Sequence, residues 1–330
     1  MPTRDEDVAL PPEVLAAAEE LRKREGVVGV FWGDRYKESE RRWIPERTLC
    51  VHVQKKRQKD ALAASEFIQP TFRGFRTDVL EVGRIVAHSV TVRDRVDTGG
   101  PLSRSSTITA LASIDGVPHA LLSGHGTLPV SNGKKIRSSY LYSGASDAYQ
   151  GTVDLDSSGN PEQIFIHDGS RRVSGQLLFG KIGGSRSVDF ALAKLDSDDV
   201  DPGHPAMAAH SHFEITSTPA ADEKLSHYSR LHKDGRRYGI YKSIAATDFE
   251  VHLPDGSTRL YADAYVVESS DREPFSQLGD SGSAVVDSRK RVVGTILGGS
   301  TSKPISYVLP IGFLYPYLEH EIFLSFFSEK

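Results

Sequence analysis

Apolar side chains return at three- and four-residue intervals over residues 13–24, where Val14, Leu15, Ala18 and Leu21 share one face behind the Pro11-Pro12 pair. This is the spacing of an amphipathic helix with proline at its start. Gly26 stops that pattern. Alternation then takes over and predicts strands over 27–32, 48–53 and 77–82. The charged stretch 33–46 is expected as a loop and 60–67 as a short helix, so residues 1–84 form a small α/β unit. Beyond it, short apolar runs alternate with Gly, Asp, Ser and Asn. Strands are predicted over 106–113 and 119–122, joined by an Asp115-Gly116 hairpin turn, and over 163–166, 176–179 and 188–195. After a polar crossing at 196–205, further strands are predicted over 238–245, 249–253, 261–267, 283–286 and 292–297. Many short strands of this kind indicate a mainly β protein, a sandwich or barrel. Residues 314–327 return to helical spacing and predict a C-terminal helix. The chain divides on this reading into 1–84, a first β unit over 85–205 and a second over 206–330.

Composition narrows the function more than the fold. The 40 Lys and Arg against 44 Asp and Glu leave a net charge of −4, so there is no basic field for nucleic acid. The basic run 55–59 reads as a solvated strand end. No stretch approaches the roughly 18 apolar residues of a membrane span. Cys50 is the single cysteine and sits among Leu49, Val51 and Val53, which marks a buried thiol and rules out an intrachain disulfide. These features point to a soluble, cytoplasmic protein without membrane or nucleic-acid partners.

The candidate chemistry centres on Gly279-Asp280-Ser281-Gly282-Ser283, a serine inside a glycine turn between strands. A serine hydroxyl attacks a carbonyl only with a base to take its proton and N–H donors to hold the oxyanion. His125 follows the 119–122 strand, and Asp189 opens the 188–195 strand. His125 is the expected general base and acid, Asp189 the residue that orients and stabilises its imidazole, and Ser281 the nucleophile. The N–H groups of Gly279 and Ser281 are the expected oxyanion hole. Such chemistry calls for no metal and no organic cofactor. His210 and His212 have no companion ligands at metal spacing and read as loop residues.

The order His, Asp, Ser is one of the orders in which this triad occurs, and with it the Asp189-Phe190-Ala191-Leu192 run and the turn at Ser281 resemble the trypsin-like (chymotrypsin-fold, S1-type) serine peptidases. The likeness covers most of residues 25–315. Residues 29–53 and 77–83 are similar to the N-terminal extension of bacterial, cytoplasmic members. It implies a chymotrypsin-like double β-barrel and a serine endopeptidase working through an acyl-enzyme on a protein or peptide substrate. An inactive peptide-binding or scaffold protein and an esterase using the same triad are the alternatives. The extension is a candidate surface for a regulatory partner. It also implies a substrate pocket walled by Phe275 and Leu278 on one side and Leu297, Gly298 and Gly299 on the other, apolar because Phe275 stands where trypsins carry an aspartate. Secreted members bury a new N-terminus against the aspartate before the nucleophile. With a whole extension ahead of the first barrel, Asp280 is expected to have another partner or merely to shape its turn, and trimming is not expected to be needed for activity.

Overall fold

The computed structural model describes residues 10–37, 39–40, 42–63, 66–88, 96–97, 107–114, 117–127, 163–168, 171–183, 188–196, 219–228, 236–253, 256–271, 273–289, 291–312 and 323–326. The extension holds helix α1 (Pro12–Arg22) and strands β1 (Val27–Lys37), β2 (Arg42–Val53), β3 (Thr71–Phe72) and β4 (Phe75–Glu81). One face of β2 sends Leu49, Val51 and Val53 against Val14, Ala17, Ala18 and Leu21 of α1, as the two interleaved periods require. Cys50, on the opposite face, is buried as expected, with its thiol donating to the Asp34 carbonyl.

The expected loop at 33–46 is instead the outer end of the β1–β2 hairpin, with Tyr36 opposite Trp43 and Lys37 opposite Arg42. Its charges misled the pattern. They pair with one another, Lys37 with Glu40 and Arg35 with Glu46, while Tyr36 and Trp43 pack edge to face. Of the short helix expected over 60–67, the described residues form one 3₁₀ turn at Lys59–Ala61, and residues 64–65 lie outside the described residues.

The chain continues through β5 (Ile85–Ala87), β6 (Val96–Asp97), β7 (Ile108–Ile114), β8 (Val117–Leu122), a one-turn helix α2 (Gly124–Thr127), β9 (Gln163–Asp168), β10 (Arg171–Gly183) and β11 (Val188–Leu195). Strands β12 (Lys224–Tyr228), β13 (Arg236–Ala245), β14 (Phe249–His252), β15 (Thr258–Tyr261), β16 (Tyr265–Ser269), β17 (Ala284–Val286), β18 (Val292–Ser300) and β19 (Ile305–Pro310) follow, and β20 (Phe323–Phe326) comes last. Six of them close on themselves in the order β12-β13-β16-β19-β18-β17 and back to β12, forming an antiparallel barrel. A second, seven-stranded sheet runs β20-β7-β8-β11-β10-β9-β6. This is the chymotrypsin-like, mainly β architecture that the resemblance implies.

The C-terminal helix is corrected in part. Residues 323–326 form β20 along the edge of β7, where an open edge supplies backbone partners that outweigh local spacing. The rest of that stretch lies outside the described residues. Among the described residues, strand β5 is not paired with the seven-stranded sheet that follows it in sequence. It lies antiparallel to β18 and beside β14.

Two cores explain why the barrel strands read as continuous apolar runs. Tyr265, Val267, Val293 and Val308 fill the barrel interior with Phe275. Val266, Leu297, Tyr307 and Leu309 point outward from the same strands and share a core with Phe31, Cys50, Ile85, Ala87 and Phe249. Strand β1 also pairs with β13, Trp32 opposite Ile244. The extension is therefore continuous with the barrel wall, and both faces of that wall are buried.

Candidate active site

Strand pairing brings the base and the acid together. Leu122 lies opposite Ala191 on the antiparallel pair β8–β11, so the turn after β8 sits beside the start of β11. His125 Nδ1–H donates to Asp189 Oδ2, and the His125 backbone N–H donates to Asp189 Oδ1 at 2.6 Å. The carboxylate thus fixes both the ring and the chain that carries it. With Nδ1 holding a proton, Nε2 is left as the acceptor, and Ser281 Oγ donates to it at 2.5 Å. His125 and Ser281 are 1% and 0% exposed, so these contacts form away from bulk water, where hydrogen bonds to charge are strongest. Ser123 Oγ stands 3.0 Å from His125 Nδ1 and 3.3 Å from Ser281 Oγ.

The nucleophile turn owes its shape to two glycines and to the neighbouring sheet. Gly279 and Gly282 have φ of 102° and 87°, which an L side chain resists. Thr107 N–H donates to Ser281 O at 2.8 Å, Thr107 Oγ1 to Gly279 O at 2.6 Å and Thr109 Oγ1 to Gly282 O at 2.6 Å. Three carbonyls of the turn are thereby held toward the seven-stranded sheet. The N–H groups of Gly279 and Ser281 point the other way and converge on one oxygen, the carbonyl of His88, each at 3.1 Å. Two such donors aimed at one carbonyl oxygen are what an oxyanion needs. Asp280 Oδ2 accepts the Gln277 N–H at 3.0 Å, in keeping with a turn-shaping part.

The expected pocket residues divide. Leu297 is buried on β18 and its carbonyl accepts the His88 N–H at 3.0 Å, while Gly298 and Gly299 pair with Ala87 and Val86. Leu278 is 54% exposed. Phe275 turns into the barrel core, where its carbonyl accepts from His227 Nε2 at 2.6 Å, so it gives the pocket no apolar wall. Its neighbour Ser276 faces the cleft instead. Ser276 Oγ donates to Ser306 Oγ at 2.7 Å, which leaves its oxygen to accept from His88 Nδ1 at 3.2 Å. Burial, with the nearby His125 and His227, pushes the His88 imidazole down to about 4, so it sits there neutral.

Sequence reasoning missed four contributors. Tyr261 Oη donates to Asp189 Oδ2 at 3.2 Å from the barrel side, and Ser123, Ser276 and His88 complete the cleft. Ser123 adjoins the His125 motif and was within reach of inspection. Ser276 adjoins the expected pocket residue Phe275 and was within reach too, whereas Tyr261 on β15 and His88 just past β5 carry no local signal. Among the described residues, no three His, Cys, Asp or Glu side chains gather as a metal site. His210 and His212 lie outside the described residues. No helix among the described residues is long and apolar enough to cross a membrane.

No family model and no curated protein matches the chain. Solved structures that match the chain are bacterial proteases, a Cellulomonas bogoriensis chymotrypsin among them. Thermobifida fusca protease A is 16% identical with a TM-score of 0.39, over 74% of this chain and 100% of its own. The Nocardiopsis protease is 13% identical with a TM-score of 0.39, over 73% of this chain and 98% of its own. The Rv3671c protease of M. tuberculosis is 11% identical with a TM-score of 0.40, over 72% of this chain and 81% of its own.

Proposed function

We propose that this protein is a serine endopeptidase that hydrolyses peptide bonds through Ser281, His125 and Asp189 by way of an acyl-enzyme. The observation that supports it is a single turn that carries a hydroxyl 2.5 Å from a histidine nitrogen and two N–H donors that meet on one backbone carbonyl oxygen, each at 3.1 Å. In this reading His125 accepts the Ser281 proton as the oxygen attacks and then delivers it to the leaving amine. Asp189 keeps Nδ1 protonated and stabilises the imidazolium, and Gly279 and Ser281 hold the oxyanion. Residues 297–300 of β18 favour a peptide over a small ester, because they already serve as backbone partners for an extended chain, β5 and His88. A chain with a single cysteine owes nothing to disulfides, which suits work in the reducing cytoplasm.

The test is labelling with a fluorophosphonate together with cleavage of a peptide library. The expected result is one label, on Ser281, and peptide hydrolysis that falls by at least about 10³-fold in Ser281→Ala. Peptide capture at equal affinity by both proteins, with neither label nor hydrolysis in either, would establish the binding-protein alternative in its place.

A further inference from the structure

Residues 85–88 lie along the cleft in the pose of a bound substrate. Ile85, Val86 and Ala87 pair antiparallel with Ser300, Gly299 and Gly298. Next in line, His88 N–H donates to Leu297 O at 3.0 Å, and His88 C=O receives the N–H groups of Gly279 and Ser281. The imidazole enters the pocket beside Ser276 and lies over Gly299, where a Cβ would stand 2.7 Å from its Cε1. Backbone ladder, side-chain pocket and carbonyl oxygen are therefore all engaged at once. The carbonyl held there belongs to the peptide bond that joins His88 to Ser89 in the sequence.

Two further facts separate a substrate from a passive plug. The strand leaves the catalytic groups undisturbed, since Ser281 Oγ keeps its 2.5 Å contact with His125 Nε2. The chain before His88 is also anchored independently of the cleft. Phe31, Cys50 and Leu80 share a core with Leu297 and Tyr307 of the barrel, and β1 pairs with β13.

We propose that the chain's own His88–Ser89 bond is a substrate of this site, so that the protein cuts itself once and keeps both pieces together. The proposal rests on the serine-peptidase reading and names that site's first substrate. Ser281 Oγ bonds to the His88 carbonyl carbon while its proton passes to His125 Nε2, and the oxyanion forms on the oxygen held by Gly279 and Ser281. The C–N bond then breaks, and the proton on His125 goes to the Ser89 nitrogen, which becomes a new amino terminus. Water attacks the resulting ester and gives its proton to His125. The Ser281–acyl bond breaks, Ser281 recovers its proton, and His88 ends as a carboxylate. This runs against the expectation that trimming is not needed for activity, because an uncut strand fills the cleft.

The experiment follows full-length protein by intact mass and N-terminal sequencing, with fluorophosphonate labelling in parallel, for wild type, Ser281→Ala and His88→Pro. The last replaces the imidazole and removes the N–H that Leu297 accepts. Wild type is expected to become two co-purifying fragments, the second beginning at Ser89, with a first-order rate independent of protein concentration. Ser281→Ala should stay one chain, slowed by at least about 10³-fold. His88→Pro should also stay one chain and label faster than uncut wild type. Wild type that labels at Ser281 yet stays whole overturns self-cleavage and leaves the peptidase reading standing. So does cleavage only at another bond, or equal cleavage in Ser281→Ala. Absence of both label and cleavage in wild type and His88→Pro removes the peptidase reading, and self-cleavage with it. Should His88→Pro misfold, wild type and Ser281→Ala decide by themselves.

Discussion

The seven-stranded sheet and the six-stranded barrel contribute to one site in different ways. In the sheet, His125 and Asp189 are neighbours because β8 and β11 are hydrogen-bonded strands, so their contact is settled within one element of structure. The barrel supplies Ser281 from a turn whose position depends on how the two units dock, through Thr107 and Thr109 on one side and Tyr261 on the other. One contact of the triad is a matter of strand register and the other of packing between units. Substitutions should separate the two.

The largest effect should come from the within-sheet contact. Asp189→Asn keeps the shape but offers His125 the wrong partner, and kcat on a peptide substrate should fall by about 10⁴-fold. Steady-state kinetics that showed less than a tenfold loss would remove Asp189 from its proposed role. The barrel side is next. Lys242 Nζ on β13 bonds Asp222 at 2.5 Å and lies 3.8 Å from Asp34 Oδ2 on β1, with Lys242 and Asp34 both buried. Burial, and then the Asp222 charge, already push the Asp34 carboxyl above its ordinary value. Lys242→Met removes the nearer cation from the buried Asp34, leaving it Arg47, and should cost on the order of 3 kcal/mol in urea unfolding. The docking contact is smaller. Tyr261→Phe removes one hydrogen bond to a carboxylate, about 2 kcal/mol, and should lower kcat/KM roughly 30-fold while the strand pairing of the sheet persists.

The smallest effect is one of pH. His52 packs against Phe31 and hydrogen-bonds Tyr307 Oη at 3.0 Å, and burial pushes its imidazole down to about 3. The unfolded chain therefore takes up a proton below about pH 6.5 that the folded chain refuses, so stability is lost as pH falls from there toward 3. His88, pushed down to about 4, adds a parallel loss. His52→Phe should be less stable at pH 7, because Tyr307 loses its partner. It should also escape about 1.5 kcal/mol of the wild-type loss between pH 6.5 and 5, read by urea unfolding at the two values.

Which parts of this were legible in the sequence follows from the range of the forces involved. The nucleophile turn announced itself because glycine, serine and aspartate are needed within five adjacent positions. Barrel strands such as β16 and β18 stood out because both their faces are buried, whereas β19, buried just as fully, was not picked out. The hairpin at Tyr36 and Trp43 did not, since its charged positions satisfy one another on an exposed face. Phe275 is expected at the pocket yet fills the barrel core, because it lies in an irregular segment between β16 and β17 where no periodic pattern tells which side chain faces the cleft. His88 was beyond reach. It follows an ordinary apolar run, and its meaning comes from Ser276, 188 positions away.

The anchoring of β5 has a consequence for any measured affinity. Residues just ahead of it are pinned, with Ser300 Oγ donating to Val82 O and Arg84 and Thr301 exchanging hydrogen bonds. A peptide arriving from solution thus competes with a strand present at a fixed effective concentration, on the order of millimolar even for a loose tether. Its apparent dissociation constant is raised by the fraction of time the cleft is already filled. In the peptidase reading proposed above, such a cleft responds to abundance as well as to sequence.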